Sequence, residues 1–240
     1  MLKALVAQIN YSIFDVEVTQ QQNQFAYLEG KDLTDTIDGV LKLHDKALWS
    51  GTDTDLVVPQ TNQYVGISGQ IVRGTEYNGI SNKFEHTYNP PTTSIVDSLK
   101  TAVATMAARE DFEVRPTAIY QNPLTGDLID QEAKALQMWF NETEIIPGVI
   151  VKALPTQIGL LPMIGDAGLN NLTVSGAVKR YSSIIVQEDA IEYHWLTSPV
   201  PRVFQLGLLQ NLAAQFVVVK FGAPVAKGAG YAHGIVSFTK

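Results

Sequence analysis

The chain has 240 residues, with 17 Lys and Arg against 24 Asp and Glu, giving a formal net charge of −7. This balance argues against specific nucleic-acid binding, because Lys and Arg make the phosphate contacts and no stretch interleaves basic and aromatic residues. The absence of cysteine excludes disulfides, a thiol nucleophile and thiolate metal sites. No uncharged apolar stretch approaches the ~18 residues of a membrane span and the first residues lack a signal-peptide core, so we expect a soluble intracellular product.

The charged fraction is low. Charged residues make up 17% of the chain, against a usual value of about 25%. The neutral surface that this implies suits a subunit that covers itself with copies of itself, and an ordinary neutral globular surface fits equally well. The length allows one large domain or two closely packed ones.

The first third of the chain predicts a strand, helices and a long irregular segment. Residues 2–9 predict a strand, and residues 15–28 a short helix or irregular segment that Gly30 ends. A stronger helix is capped by Thr34 or Asp35 and closed by Gly51. Its apolar face has three- and four-residue spacing and consists of Ile37, Val40, Leu41, His44, Ala47 and Leu48. Residues 56–91, rich in Gly, Asn and Thr, predict a surface excursion with at most short strands.

The clearest helical pattern follows. Ser94 is a good N-cap, and Asp97 lies three residues later at the positive end of the helix dipole. One apolar stripe then contains Ile95, Val96, Leu99, Ala102, Val103 and Met106. We predict a helix over about 94–110.

Beyond this helix the pattern changes to strands separated by Gly and Pro. Residues 131–140 predict a helix among them. The predicted strands are 117–120, 149–153, 160–165, 183–187, 191–195 and a long final run over about 203–221. No repeat of 20–50 residues is visible. The fold class is therefore α+β with an antiparallel or mixed sheet.

The histidines do not form a metal-site pattern. They are His44, His86, His194 and His233, and none has a second ligand at helical spacing. His44 lies on the apolar face of its helix, which predicts a packed histidine rather than a ligand.

Three further motifs also favour structural roles. The glycine-rich residues 228–234 do not match a dinucleotide fingerprint and predict a flexible or turn-rich tail. Residues 66–69 do not match the G-x-S-x-G nucleophile motif. Asp53 and Asp55 lack the later Gly and the distal Glu of a calcium-binding loop. We therefore predict no catalytic, cofactor-binding or metal-binding residues, and no enzyme activity.

Several strings, taken in order, resemble the HK97-like major capsid protein of tailed phages. The helix ending in residues 48–52 (LWSGT) precedes a short glycine-containing stretch at 64–67 (YVGI), as in that family. The helix at 94–110 is placed like the long spine helix. Residues 115–123 (RPTAIYQNP) are similar to the strand and Asn-Pro stop that open another helix.

The resemblance continues through the second half of the chain. Residues 146–151 (IPGVIV) and 160–166 (LLPMIGD) resemble two strands of the family. Residues 203–219, followed by 222–228 (GAPVAKG), are placed like its last long strand and the exit from it. No single string is specific, and the ordered set carries the resemblance.

The resemblance implies an HK97-like capsid fold with a long spine helix (about 94–110), a peripheral-domain sheet and a central axial α/β domain. The peripheral-type domain joins 1–114 to 203–240, and the axial-type domain is 115–202. We expect the family's N-terminal arm and most of its β-hairpin, the E-loop, to be missing from this chain. The chain therefore resembles a shortened subunit, with no basis for the Lys–Asn cross-link of some relatives.

The function that the resemblance implies is structural. Copies of the subunit would tile as pentamers and hexamers around a genome, in a virion made in the bacterial cytoplasm. Scaffold, maturation protease and portal are further possible partners. An encapsulin-like nanocompartment shell, a phage head-completion or tail protein, and an enzyme of unknown type are the alternatives. A deep pocket with convergent titratable groups would favour the enzyme.

Overall fold

The computed structural model describes residues 3–21, 25–50, 64–74, 79–88, 93–109, 113–169, 172–174, 178–208 and 213–239. Their helices are α1 Ile13–Gln21, α2 Phe25–Ser50, α3 Ile67–Arg73, α4 Ile95–Ala107 and α5 Pro123–Ala135. Their strands are β1 Lys3–Ser12, β2 Lys83–Thr87, β3 Ala118–Gln121, β4 Asn141–Ile146, β5 Val149–Thr156, β6 Gly159–Gly165, β7 Leu172–Val174, β8 Val178–Val186, β9 Ile191–Trp195, β10 Arg202–Leu208, β11 Ala213–Ala226 and β12 Gly234–Thr239.

The chain forms two compact units. Unit 1 comprises residues 1–65 and 193–224, and unit 2 comprises residues 66–192 and 225–240. Their boundaries differ from the predicted 114/115 and 202/203, and the peripheral and axial assignments stay a prediction. None of the described helices is both long and apolar enough to cross a membrane.

Unit 1 contains helices α1 and α2 and an antiparallel sheet, on which α2 packs. Strand β11 pairs with β1 over its length, with Lys3 opposite Gly222 and Ser12 opposite Ala213. β10 and β9 also pair with β11. Side chains alternate between the faces of β1, so Leu5 is buried whereas Val6 is exposed. Leu5 packs in one core with Val40 and Ala47 of α2 and with Val218 of β11.

Unit 2 is built around a mixed eight-stranded sheet. The strand order is β2-β12-β8-β3-β6-β5-β4, with β7 paired to β8. β12 lies between a parallel partner, β2, and an antiparallel partner, β8. Helix α4 packs its apolar stripe into the core of this unit, beside Ile129 of α5 and Phe238 of β12. The α+β class and the mixed sheet are confirmed.

Two side chains complete the start of α4. The Ser94 hydroxyl accepts the Asp97 N–H (3.1 Å), as the sequence predicted. The Glu132 carboxylate of α5 accepts the Ile95 N–H with both oxygens, at 3.0 and 2.8 Å. Glu132 is buried, so this bond supplies a partner both to an orphan helix N–H and to a buried carboxylate.

The predicted helix start at Thr34 or Asp35 is wrong. Helix α2 begins at Phe25 and continues through Gly30, and the Thr34 hydroxyl donates to the Gly30 carbonyl oxygen (2.9 Å) one turn earlier. Packing of the helix against β1 outweighs the cost of about 1 kcal/mol for a glycine in a helix interior. The last helical residue is Ser50, and Gly51, the predicted end, lies outside the described residues.

The predicted surface excursion at 56–91 is partly a buried segment. Tyr64, Ile67 and Ile71 are buried, and α3 is a helix that the sequence pattern did not reveal. β2 is a short strand of the kind expected. Residues 56–63, 75–78 and 89–91 of this region lie outside the described part of the chain.

Two predictions in the second half are also corrected. The predicted helix at 131–140 is α5, which begins at Pro123 behind an Asn122 cap and ends at Ala135. Gln137 takes a left-handed conformation (φ 54°), which stops the helix. The run 203–221 forms two antiparallel strands, β10 and β11, rather than one. The helix at 94–110 and the strands at 2–9, 117–120, 149–153, 160–165, 183–187 and 191–195 are confirmed, apart from a few terminal residues.

Close backbone approach requires a glycine at position 74. A Cβ built there would lie 2.7 Å from the Gly230 nitrogen, and backbone atoms cannot move aside as a flexible side chain can. We expect Gly74→Ala to lower the free energy of unfolding by about 1–3 kcal/mol. Gly165→Ala is the control, because the nearest atom is 3.9 Å away. Equal urea midpoints for the two variants would contradict this packing.

The buried carboxylate at the start of α4 gives a second prediction. Glu132→Ala leaves the Ile95 N–H without its partner and should cost about 1–3 kcal/mol, with Glu132→Gln intermediate because its amide oxygen still accepts. Glu113→Ala serves as the control, since its ion pair with Arg115 is exposed. The shift in the urea midpoint measures the change in the free energy of unfolding, provided that the dependence of this free energy on urea concentration is the same for each variant. An unchanged midpoint for Glu132→Ala would exclude the capping role.

Candidate assembly surfaces

His44 is a packed histidine, as predicted. Its Nδ1 is hydrogen-bonded to the Tyr64 hydroxyl (2.7 Å), and its ring meets the Tyr193 ring edge to face at 4.9 Å between centroids. Burial, with a smaller contribution from the Lys220 charge, lowers the pKa of His44 to about 4. The Lys220 ammonium donates to the Pro199 carbonyl oxygen (2.7 Å) and lies 5.4 Å from the centre of the Tyr193 ring. These contacts make the cluster part of the unit 1 core.

Two other histidines, His86 and His194, are also not placed as ligands. His86 stacks on Phe238, with the ring centroids 5.9 Å apart, and His194 is exposed. Among the described residues, no three His, Asp or Glu side chains come together in a way that could hold a metal ion. Asp53 and Asp55 lie outside those residues. Ser68 and Gly69 fall inside the short helix α3.

The glycine-rich residues 228–234 form a largely buried turn, which agrees with the turn-rich alternative of the prediction and not with a flexible tail. The Asn82 amide donates to the carbonyl oxygens of Ala229 (2.7 Å) and His233 (2.9 Å). The His233 ring is fully buried between the Gln187 N–H and the Lys227 carbonyl oxygen, and burial lowers its pKa. The turn leads directly into β12, a central strand that sequence reasoning missed.

Unit 2 contains a cavity of about 780 Å³ beside the end of α5. Its lining comprises Asp130, Ala133, Lys134, Gln137, Met138, Trp139, Phe140, Glu142 and Lys152. The Lys152 ammonium pairs with the Asp130 carboxylate on its rim. The Trp139 side chain is 92% exposed, so a large aromatic surface stands at this cavity without cover from the described chain.

The β4–β5 hairpin projects an apolar tip. Pro147 and Gly148 form its turn, with Gly148 at φ 87° and its N–H bound to the Glu144 carboxylate (2.6 Å). The exposed aliphatic residues around this turn are Ile145, Ile146, Val149 and Ile150. Strand β4 was missed by sequence reasoning, although a Pro-Gly pair between two apolar runs is a hairpin signal.

Unit 1 carries a comparable apolar edge. Its exposed side chains are Trp195, Leu196, Val200, Val203, Phe204 and Leu206. Leu206 is the extra residue of a bulge in β10, since Gln205 lies opposite Phe216 and Gly207 opposite Gln215. Ile145 is likewise the extra residue of a bulge in β4. Bulges on outer strands limit uncontrolled edge-to-edge pairing, so both surfaces are apolar and yet poorly suited to extending a sheet.

Comparison with solved structures identifies the fold. The chain is similar to the SrpI encapsulin of Synechococcus elongatus PCC 7942 (TM-score 0.66, 9% identity), with 99% of this chain and 73% of that one covered. It is similar to the capsid of an empty GTA particle (TM-score 0.58, 11% identity, 99% and 72% covered). It is also similar to Gordonia phage Cozz (TM-score 0.56, 13% identity, 99% and 69% covered). No protein-family model matches the chain, and neither does any curated protein sequence.

These comparisons define the fold of the chain. Nearly the whole chain superposes on phage and encapsulin shell proteins, and the chain has the HK97-like capsid fold. The predicted fold is therefore confirmed. At 9–13% identity the likeness concerns the fold alone.

The lowered pKa of His44 predicts a pH dependence of stability. The unfolded chain, with a histidine pKa of about 6.5, binds more protons than the folded chain between about pH 6.5 and 4. The free energy of unfolding therefore falls as the pH falls through this window. We expect wild type to lose stability relative to His44→Gln between about pH 7 and 5.

Urea unfolding at several pH values measures this difference. His194→Gln is the control in the same unit, because it removes an exposed histidine rather than a packed one. If the free energy of unfolding depended on pH in the same way for wild type and His44→Gln, folding would not lower the pKa of His44.

Proposed function

We propose that this protein is the structural subunit of a phage or prophage icosahedral capsid, which self-assembles into pentamers and hexamers that enclose the genome. The observation that carries the proposal is the HK97-like fold over 99% of the chain, shared with the capsid of a GTA particle and with an encapsulin complex. The exposed apolar side chains of both units support it, because a contact with a second copy would remove them from water.

The proposed role is mechanical rather than catalytic. Three of the buried polar groups described above support this, because each has a structural partner. Glu132 binds the Ile95 N–H, Lys220 the Pro199 carbonyl oxygen and His233 the Lys227 carbonyl oxygen. Groups engaged in this way hold the fold together. The charged residues at the cavity are not enclosed in a deep pocket, because Lys134, Glu142 and Lys152 are exposed and Asp130 pairs with Lys152.

The two units support a revised domain assignment. A peripheral-type domain is built on a long helix and a long sheet, and unit 1 has both, in the 26-residue helix α2 and the 14-residue strand β11. We therefore assign the peripheral role to unit 1, with α2 as its spine helix, and the axial role to unit 2. On this assignment α4, the helix predicted at 94–110, is a core helix of the axial domain.

An encapsulin-like nanocompartment is the second candidate. The likeness to the SrpI encapsulin, at a TM-score of 0.66, favours it. The two candidates differ in what the shell encloses, so nucleic acid in purified particles supports the capsid and protein cargo the nanocompartment. Scaffold, maturation protease and portal partners, and assembly in the bacterial cytoplasm into a virion, belong to the capsid proposal.

The test is the mass of the purified chain by light scattering over a range of concentrations, with negative-stain images of the same samples. We expect rings of five or six copies, or closed particles. A monomer at every concentration would contradict self-assembly by this chain.

A substitution on the apolar edge of unit 1 sharpens the test. Leu206 is 54% exposed, so Leu206→Asp should leave thermal unfolding unchanged. It should raise the concentration needed for assembly at least about tenfold, since burying a charge at an interface costs more than 1.4 kcal/mol. Gln205→Asp is the matched control, because the neighbouring residue is already polar and exposed. If Leu206→Asp assembled at the same protein concentration as Gln205→Asp and wild type, this edge would be excluded from the contacts.

A further inference from the structure

The hairpin tip and the cavity of unit 2 stand at opposite ends of the same element. Glu142 and Lys152 pair across the hairpin where it forms one wall of the cavity. Ile146 lies four residues further along β4, roughly 13 Å away at the rise of an extended strand. The hairpin leads away from its own cavity, so the tip of one chain cannot fill the cavity of that chain.

The two surfaces match in chemistry. Residues 145–151 contain no charged side chain, and Ile146 and Ile150 are 61% and 64% exposed. The apolar part of the cavity lining includes Met138, Trp139 and Phe140. The lining has no net formal charge, because it contains two acidic residues, Asp130 and Glu142, and two basic residues, Lys134 and Lys152. Such a site attracts neither an acidic nor a basic partner and favours an uncharged apolar one.

We propose that the β4–β5 hairpin tip of one copy inserts beside Trp139 into the cavity of a second copy, as the contact that closes the ring of subunits. The inference rests on the proposed function, since it names the contact through which copies assemble. The hairpin tip and the cavity are different surfaces of the same subunit, so a contact between them is heterologous. Repeating a heterologous contact from copy to copy generates a ring when the rotation between neighbouring copies closes on itself. Burial of the Trp139 ring and of the aliphatic tip supplies the driving force.

Cysteine cross-linking tests the contact directly, because the full chain contains no cysteine. One variant carries Ile146→Cys at the tip, and a second, distinguished by a mass tag, carries Lys134→Cys on the cavity rim. The two are mixed and treated with a short bifunctional maleimide. The matched control is Leu124→Cys in place of Lys134→Cys, since Leu124 is exposed at the other end of α5.

We expect the 146–134 cross-link to exceed the 146–124 cross-link at least about tenfold, the ratio that corresponds to 1.4 kcal/mol of preference. Adding Trp139→Ala to the Lys134→Cys chain should reduce the yield towards that of the control. Circular dichroism on each variant establishes that it is folded.

The outcomes separate this contact from the proposed function. Assembled particles without preferential 146–134 cross-linking would overturn the contact and leave the shell proposal standing. Preferential cross-linking in a chain that light scattering finds at most dimeric would support the contact and count against a closed shell. A monomer with no preferential cross-link would overturn both.

Discussion

The insertion of β12 between β2 and β8 is the constraint on which unit 2 depends. Residues 234–239 bond to a strand about 50 residues earlier on one side and to one about 150 residues earlier on the other. Phe238 and Val236 on this strand are fully buried in the same core as the stripe of α4. The chain must therefore close long loops before this core exists, which is entropically costly. A large apolar core compensates for that cost.

The buried polar groups secure that arrangement. Asn82 ties the turn before β12 to β2 through the carbonyl oxygens of Ala229 and His233, and Glu132 ties α5 to the start of α4. Removing either partner would leave a buried polar group unsatisfied, at a cost comparable to a substantial share of the stability of a domain. In unit 1, His44 and Lys220 remain inside the fold because each has a hydrogen-bond partner. These contacts connect segments that are distant in sequence.

Both units leave apolar side chains outside the core on their outer strands. Ile145 in β4 and Leu206 in β10 are each the extra residue of a bulge. A bulge interrupts the regular ladder of backbone hydrogen bonds. A partner therefore meets the side chains of the strand rather than a continuous row of unpaired backbone groups. A shell needs contacts that stop at a fixed number of copies, and bulged apolar edges favour such contacts over open-ended sheet growth.

The sequence by itself determined the elements whose signals are local. Ser94 and the stripe behind it defined α4, and clusters of β-branched residues located most of the strands. The order of several short strings also indicated the HK97-like fold. The tertiary structure decided the start of α2, because packing carries the helix through Gly30, and it decided the role of the glycine-rich turn, because Asn82 holds it from 147 residues away. It also decided the position of β12 and the exposure of Trp139. These features depend on which distant segments meet, and hydrophobic periodicity carries no information about the partner of a segment.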